Sequence, residues 1–363
     1  MVKKIVITGG HATPALAVIE KIKNDRERPK IFYLGRKYVF DNSKKISFEY
    51  RQLANQDQIE FVNLDAGRLP RQFTWHSIIS LLKIPTGLVQ SFYWLAKINP
   101  EVIISFGGYL STPAVVAGWF LRVPSVSHEQ TRSIGLANKI NSLFSEKVAV
   151  SFPEVLKQLP KKKGVLTGNP IGQKKFSPSP KSAIFKFVSG AKKPLLFITG
   201  GKSGSQIINS TIHQALPELE KKFAVIHQIG VDDYPARQGK EGYLKIRFVE
   251  ASYFDWLLSR VQLVVSRSGA NIVLRLALFK KRAVLIPIPR TSGDEQNKNA
   301  EFLKSLNLAV ILKQNELNKI NLIKSIEKAS QLKISPKYPP WWSRVDPTLA
   351  AEKIWRLAKE LGW

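Results

Sequence analysis

Four times in this chain a short apolar run ends in a glycine-containing turn and gives way at once to a helical pattern. The clearest case is Val264-Val265-Ser266-Arg267-Ser268-Gly269-Ala270-Asn271. Ser268 is a candidate N-cap, and Gly269 allows a tight turn and leaves room for a ligand. Free backbone N–H groups at such a helix start attract anions, phosphates above all. One such turn is an ordinary strand-to-helix connection. Its recurrence after residues 4–8, 102–106 and 195–199 constrains the fold, because it implies helices alternating with buried strands.

The candidate strands are residues 4–8, 31–34, 61–64, 102–106, 125–128, 148–151 and 165–167, then 195–199, 224–228, 247–249, 263–266, 284–288 and 309–312. They are short, apolar on both faces and separated by helix-length segments, the pattern of parallel sheets covered on both sides. The two series part at Gly168-Asn169-Pro170-Ile171-Gly172 and the Lys/Ser/Pro-rich residues 173–182. The expected class is α/β, with two doubly wound parallel-sheet domains spanning residues 1–168 and 169–346. A last helix within residues 347–363 is expected to pack back on the first. Such domains place ligands at the carboxyl ends of their strands.

Lys and Arg number 56 against 27 Asp and Glu, a net charge of +29, so a negatively charged partner is expected. The basic residues are scattered and no nucleic-acid module is recognisable, which argues against nucleic acid. No apolar run approaches the roughly 20 residues of a spanning helix. The chain starts directly on a strand, which predicts a cytoplasmic protein without a signal peptide. With no cysteine there is neither a disulfide nor a thiolate metal site.

The other three glycine turns exclude familiar nucleotide chemistry. Thr8-Gly9-Gly10-His11 is too short for a dinucleotide fingerprint, and Thr199-Gly200-Gly201-Lys202-Ser203 lacks the spacing of an ATP-hydrolysing P-loop. With Phe106-Gly107-Gly108-Tyr109, they predict a ligand carrying several phosphates, or two phosphorylated ligands. No paired metal ligands stand at useful spacing and no cofactor is expected.

These strings, in this order, resemble the MurG-type N-acetylglucosaminyltransferases of peptidoglycan synthesis over nearly the whole chain. The others are Gly67-Arg68-Leu69 with Arg71, His128-Glu129-Gln130 with Gly135-Leu136, Gly168-Asn169-Pro170, His227-Gln228 with Gly230, and Gln296 with Asn299-Ala300. The resemblance implies a GT-B fold, two Rossmann-like domains facing across a cleft. It implies inverting transfer of N-acetylglucosamine from UDP-N-acetylglucosamine to undecaprenyl-pyrophosphate-linked muramic acid, lipid I, giving lipid II, with no essential metal. Implied donor contacts are Thr8, Gly9, Gly10, Gly201, Lys202, Ser203, the Arg267–Asn271 turn (Arg267, Ser268, Gly269, Ala270, Asn271), Arg275 and Gln296, with Phe248 and Val249 framing the uracil. Implied acceptor contacts are Gly107, Gly108, Tyr109, Thr131 and Asn138.

Inverting transfer needs a base on the acceptor hydroxyl, and His11 and Glu129 are the candidates. An imidazole titrating near ~6.5 suits neutral pH better than a carboxyl near ~4.3 unless the latter is desolvated. The competing roles are a histidine bonded to its own loop and an acid bracing a neighbouring one. Several positions depart from the family pattern. Arg275 stands where the family carries a Glu that holds the ribose hydroxyls, a loss of about 1.5–3 kcal/mol. Thr131 replaces Asn, Gly172 replaces Arg and Lys202 replaces Ser, with Lys202 and Lys174 available to restore the charge. Another UDP-sugar-dependent lipid transferase or epimerase, or a degenerate homologue binding anionic membrane, are the alternatives.

Residues 69–98 mix aromatic and aliphatic side chains, Phe73, Trp75, Phe92, Tyr93 and Trp94 among them, with Arg71, Lys83 and Lys97. Pro85 and Lys83 interrupt the stretch. This composition suits the headgroup boundary of an anionic cytoplasmic membrane, and Trp119-Phe120-Leu121-Arg122 are candidates to join it.

Overall fold

The structure is a computed structural model that describes residues 2–38, 46–54, 56–67, 75–172, 178–230, 242–289 and 291–363. Among the described residues are thirteen strands: β1 (Lys4–Thr8), β2 (Lys30–Gly35), β3 (Ile59–Asn63), β4 (Val102–Ser105), β5 (Ser125–Glu129), β6 (Lys147–Val150), β7 (Gly164–Leu166), β8 (Leu195–Thr199), β9 (Ala224–Gln228), β10 (Tyr243–Ile246), β11 (Leu263–Ser266), β12 (Arg282–Leu285) and β13 (Ala309–Ile311). The helices are α1 (Ala12–Lys23), α2 (Phe48–Leu53), α3 (Trp75–Ile98), α4 (Ser111–Phe120), α5 (Leu136–Phe144), α6 (Ala183–Gly190), α7 (Gln206–Lys222), α8 (Ala251–Arg260), α9 (Ala270–Leu278), α10 (Glu295–Ser305), α11 (Lys319–Ser330) and α12 (Ala350–Gly362).

The chain divides into two units, Met1–Gly172 with Pro340–Trp363, and Gln173–Pro339. The first holds a seven-stranded sheet in the order β3-β2-β1-β4-β5-β6-β7, the second a six-stranded sheet in the order β10-β9-β8-β11-β12-β13. Every pairing in both is parallel. Each order reverses direction once, between β1 and β4 in the first sheet and between β8 and β11 in the second. At such a point neighbouring strands send their chains to opposite faces, and a crevice opens at their carboxyl ends.

The period-two alternation of β1 shows why both faces must be covered. Ile5 and Ile7 pack with Val18, Ile22, Ile354 and Trp355 of α1 and α12. Val6 packs on the opposite face with Leu95 and Ile98 of α3 and Ala114 and Ala117 of α4. In the second unit, Leu196 and Ile198 pack with Ile208 and Ile212 of α7 and Leu322 and Ile326 of α11.

The chain returns to the first unit at Pro340, and Trp341 lies against Phe152 there, with ring centroids 5.9 Å apart. Val345 also backs onto Gly168 so closely that a Cβ there would meet the Val345 carbonyl oxygen at 3.0 Å. The strand expected at 247–249 is instead β10, 243–246, and the next residues leave the sheet. Pro85 lies inside a continuous α3 rather than interrupting it. Among the described residues no helix is long and apolar enough to cross a membrane.

Candidate active site

In the first unit the two glycine turns flank the β1/β4 reversal and pack backbone on backbone. Gly10 N–H donates to the Gly107 carbonyl at 2.8 Å. A Cβ on Gly9 would stand 2.8 Å from the Phe106 carbonyl carbon, and Gly9 has φ +136°. Gly107 and Gly108 also have positive φ, 68° and 79°. These three glycines are demanded by conformation and by close approach. Thr8, at the end of β1, buries a hydroxyl that has no partner among the described residues.

His11 follows directly as the residue before α1. Its ring Nδ1 lies 2.8 Å from Gln130 Nε2, a residue just past β5. Burial pulls the His11 pKa below its ordinary value, against the opposing pull of the Glu129 and Glu49 carboxylates, so the ring is neutral at pH 7.

Glu129 sits differently. Its Oε1 accepts from Thr131 N–H at 3.0 Å and the Thr131 hydroxyl at 2.7 Å, and its Oε2 accepts from Gly135 N–H at 2.9 Å and Asn138 Nδ2 at 3.0 Å. A carboxylate with these contacts braces the β5–α5 loop. Of the two roles open for Glu129, its contacts are those of a brace. Asn138 also donates to the His128 carbonyl at 2.9 Å and lies under Gly107. Its own Oδ1 is buried with no partner among the described residues. The Tyr109 hydroxyl accepts from Arg36 at 3.0 Å.

In the second unit the turns after β8 and β11 flank the second reversal. Gly201, with φ +92°, and Lys202 and Ser203 are exposed. Gln228 ties this turn to the loop after β10. Its Nε2 donates to Thr199 Oγ1 and the Gly201 carbonyl, each at 3.0 Å, and its Oε1 accepts from Val249 N–H at 2.9 Å. Gln228 therefore positions buried Val249, beside half-buried Phe248. Its role was missing from the site read from sequence, although its place in the His-Gln string marked it.

Arg267 spans the two turns, donating to Ser205 Oγ at 2.8 Å and the Ile286 carbonyl at 3.1 Å. Ser268 does not cap α9: its hydroxyl donates to the Gln296 carbonyl at 2.8 Å, and Gly269 occupies the cap position. Gly269 is not a tight turn either, since its φ is an ordinary −64°. Nothing lies within 4 Å of a Cβ built there, so neither backbone nor packing calls for glycine. Ala270 and Asn271 open α9 beside this free space. Gln296 is half-buried, and its Oε1 accepts from Ile288 N–H at 3.0 Å.

Arg275 lies within α9, 6% exposed, and its Nε pairs with Asp255 Oδ1 of α8 at 2.8 Å. Lys174 lies outside the described residues.

Two parallel α/β sheets with glycine-lined helix starts at both reversals define the GT-B architecture of nucleotide-sugar enzymes. Residues 6–150 match the glycosyltransferase family 28 N-terminal domain, and residues 195–338 match its C-terminal domain. The chain is 33% identical over 335 residues to a UDP-N-acetylglucosamine--N-acetylmuramyl-(pentapeptide) pyrophosphoryl-undecaprenol N-acetylglucosamine transferase of Bacillus cereus, covering 91% of this chain and 92% of that one. To the transferase of the same name in Borreliella burgdorferi it is 32% identical, covering 90% and 88%. The chain belongs to this family, the MurG-type glycosyltransferases. At the level of fold it superposes on Acinetobacter baumannii MurG with TM-score 0.65 at 21% identity, covering 99% of both chains. A UDP-GlcNAc 2-epimerase from Methanocaldococcus jannaschii gives 0.63 at 14%, covering 99% and 100%.

Two further histidines give the fold a pH dependence. Burial pushes His128 down to about 3 and His227 down to about 3. Both stay neutral in the folded chain while the unfolded chain binds protons below about 6.5, so their contribution is complete above that pH and lost as pH falls towards 3. The free energy of unfolding should fall by about 2.7 kcal/mol per pH unit once both unfolded histidines are protonated. Urea denaturation at pH 7, 6 and 5 reads this as a dropping midpoint; an unchanged midpoint across that range would contradict it.

Proposed function

We propose that this chain transfers N-acetylglucosamine from UDP-N-acetylglucosamine to the muramic acid sugar of undecaprenyl-pyrophosphate-linked lipid I, making lipid II. The observation that carries the reading is kinship over nine-tenths of the chain with transferases bearing that name. The site supports it. The first unit holds the acceptor and the base, His11, with Gly107, Gly108, Tyr109, Thr131 and Asn138 lining the acceptor side. Glu129 holds the loop that carries Thr131 and Asn138. The second unit holds the donor. The N–H groups opening α7 and α9, together with Lys202 and Arg267, meet the charge that develops on departing UDP. Phe248 and Val249 frame the uracil, and Gln296 meets the donor sugar. A buried Arg275 leaves no carboxylate for the ribose at that position, and this favours a reading in which donor affinity is weakened.

The test is turnover with purified protein, UDP-N-acetylglucosamine and a lipid I analogue. Lipid-dependent UDP release and a glycosylated lipid are expected. Epimerised UDP-sugar formed without any lipid acceptor would replace this reading with the epimerase one. Gly269→Ala adds a discriminating measurement. Stability should change by no more than about 1 kcal/mol, because the Cβ meets open space. Donor affinity by calorimetry should fall at least about tenfold, equivalent to roughly 1.4 kcal/mol, as the methyl crowds the diphosphate. Unchanged affinity would remove the diphosphate from this turn.

We further propose that the protein binds peripherally to the anionic cytoplasmic membrane through α3, α4 and α5. Residues 68–74 lie outside the described residues, as do the side chains of 75–84, so Arg68, Arg71, Phe73, Trp75 and Lys83 add nothing here. Leu88, Phe92, Trp94 and Leu95 pack into the core. What remains outward is Val89, Tyr93, Trp119, Phe120, Leu121, Leu136 and Leu143. Phe120 is 61% exposed, and Trp119 rests on it with ring centroids 4.9 Å apart. Lys97 lies over the Tyr93 and Trp94 rings, placing a cation at the patch edge. The double substitution W119S/F120S should abolish sedimentation with phosphatidylglycerol vesicles while leaving UDP affinity intact. Retained sedimentation would dismiss the patch.

A further inference from the structure

Gln130 has a chemical relation to His11 that a packing contact does not explain. Its amide lies 2.8 Å from His11 Nδ1, the only hydrogen bond that ring makes among the described residues. The other end of the amide, Oε1, is buried and has no partner there. The two ends of a glutamine amide have nearly the same shape, so a half-turn exchanges them without moving anything else.

The two orientations have opposite consequences. With the NH₂ group against Nδ1, the ring nitrogen accepts, its proton sits on Nε2, and Nε2 cannot take another. With Oε1 against Nδ1, the ring carries Nδ1–H and Nε2 bears a free lone pair. Base catalysis adds a second requirement. Once Nε2 has taken a proton, both ring nitrogens are donors, and an NH₂ group 2.8 Å from Nδ1–H would repel it. Only the amide oxygen serves both before and after proton transfer.

We propose that Gln130 is a positioning residue whose amide oxygen, turned to Nδ1, fixes the His11 tautomer and supports the imidazolium formed during transfer. The proposal rests on the reading of His11 as the base. The acceptor hydroxyl gives its proton to Nε2, and the hydroxyl oxygen's electron pair forms the bond to the anomeric carbon. The bond from that carbon to the β-phosphate oxygen breaks, its pair leaving on UDP. An amide suits this position better than a carboxylate, which would hold the proton on the ring and leave less free base at neutral pH. Glu129 lies one residue away, but its carboxylate is occupied by the loop it braces.

The test uses the full chain with ¹⁵N-labelled histidine, and five histidines make the ring spectrum assignable with a His11→Asn control. At pH 7.5, wild-type His11 should be protonated at Nδ1. Gln130→Met should lose that preference and lower kcat roughly a hundredfold, within the usual range for general-base catalysis, with the KM for UDP-N-acetylglucosamine unchanged. Gln130→Glu should restore the Nδ1–H tautomer and most of kcat at high pH, with the acid limb of the pH profile moved up by about one unit. Amide NMR spectra of both variants that match the wild type outside the neighbourhood of residue 130 confirm that the unit carrying the substitution is folded. A wild-type ring protonated at Nε2, or a Gln130→Met protein with unchanged tautomer and kcat, overturns the proposal. Absence of lipid-dependent transfer in the wild type would instead strike the transferase reading, since the ring spectrum is read without turnover.

Discussion

Each sheet reverses its strand order once, and beside that reversal glycine turns lead from the strand ends into helix starts. Both sheets are parallel and buried on both faces, so the ends of the strands are where the backbone of these sheets is open to a ligand. The glycine turns sit there because side chains would fill the gap. An anion with several oxygens can then bind main-chain dipoles that are already oriented, which costs no reorganisation on binding.

The glycines at these turns answer to different constraints. Gly9, Gly107 and Gly108 are fixed by backbone conformation and by the contact between two loops. They hold His11 at the β1/β4 reversal. Gly269 is fixed by neither, and the open space beside it is what a ligand would occupy. The same residue type thus joins two loops by close packing in the first unit and leaves open space at the start of α9 in the second. The brace around Glu129 belongs with the first kind. It converts a charged residue into a rigid support for Thr131 and Asn138.

Much of the fold could be read from the sequence because the central parallel strands, buried on both faces, are mostly apolar. The β10 edge could not, because Val249 is held by the Gln228 side chain rather than by a strand ladder, and that bond joins it to a residue 21 positions away. The same limit applies to the site. His11 was marked by its place after two glycines, and its preference over Glu129 followed from ordinary pKa values. What distinguishes the two in the structure is their partners, and His11 and Gln130 are 119 residues apart. Arg275 was visible as a departure from the family pattern. Its burial against Asp255, 20 residues earlier, was not, because nothing local to either residue marks the pairing.

The central claim is that main-chain amides of the second unit hold the donor diphosphate. Amide NMR of the ¹⁵N-labelled protein titrated with UDP addresses it directly. The account predicts that the largest shifts fall on Ser203, Gly269 and Ala270, that they saturate together, and that they do so without added metal. Saturable UDP binding that leaves those three amides unmoved would contradict it.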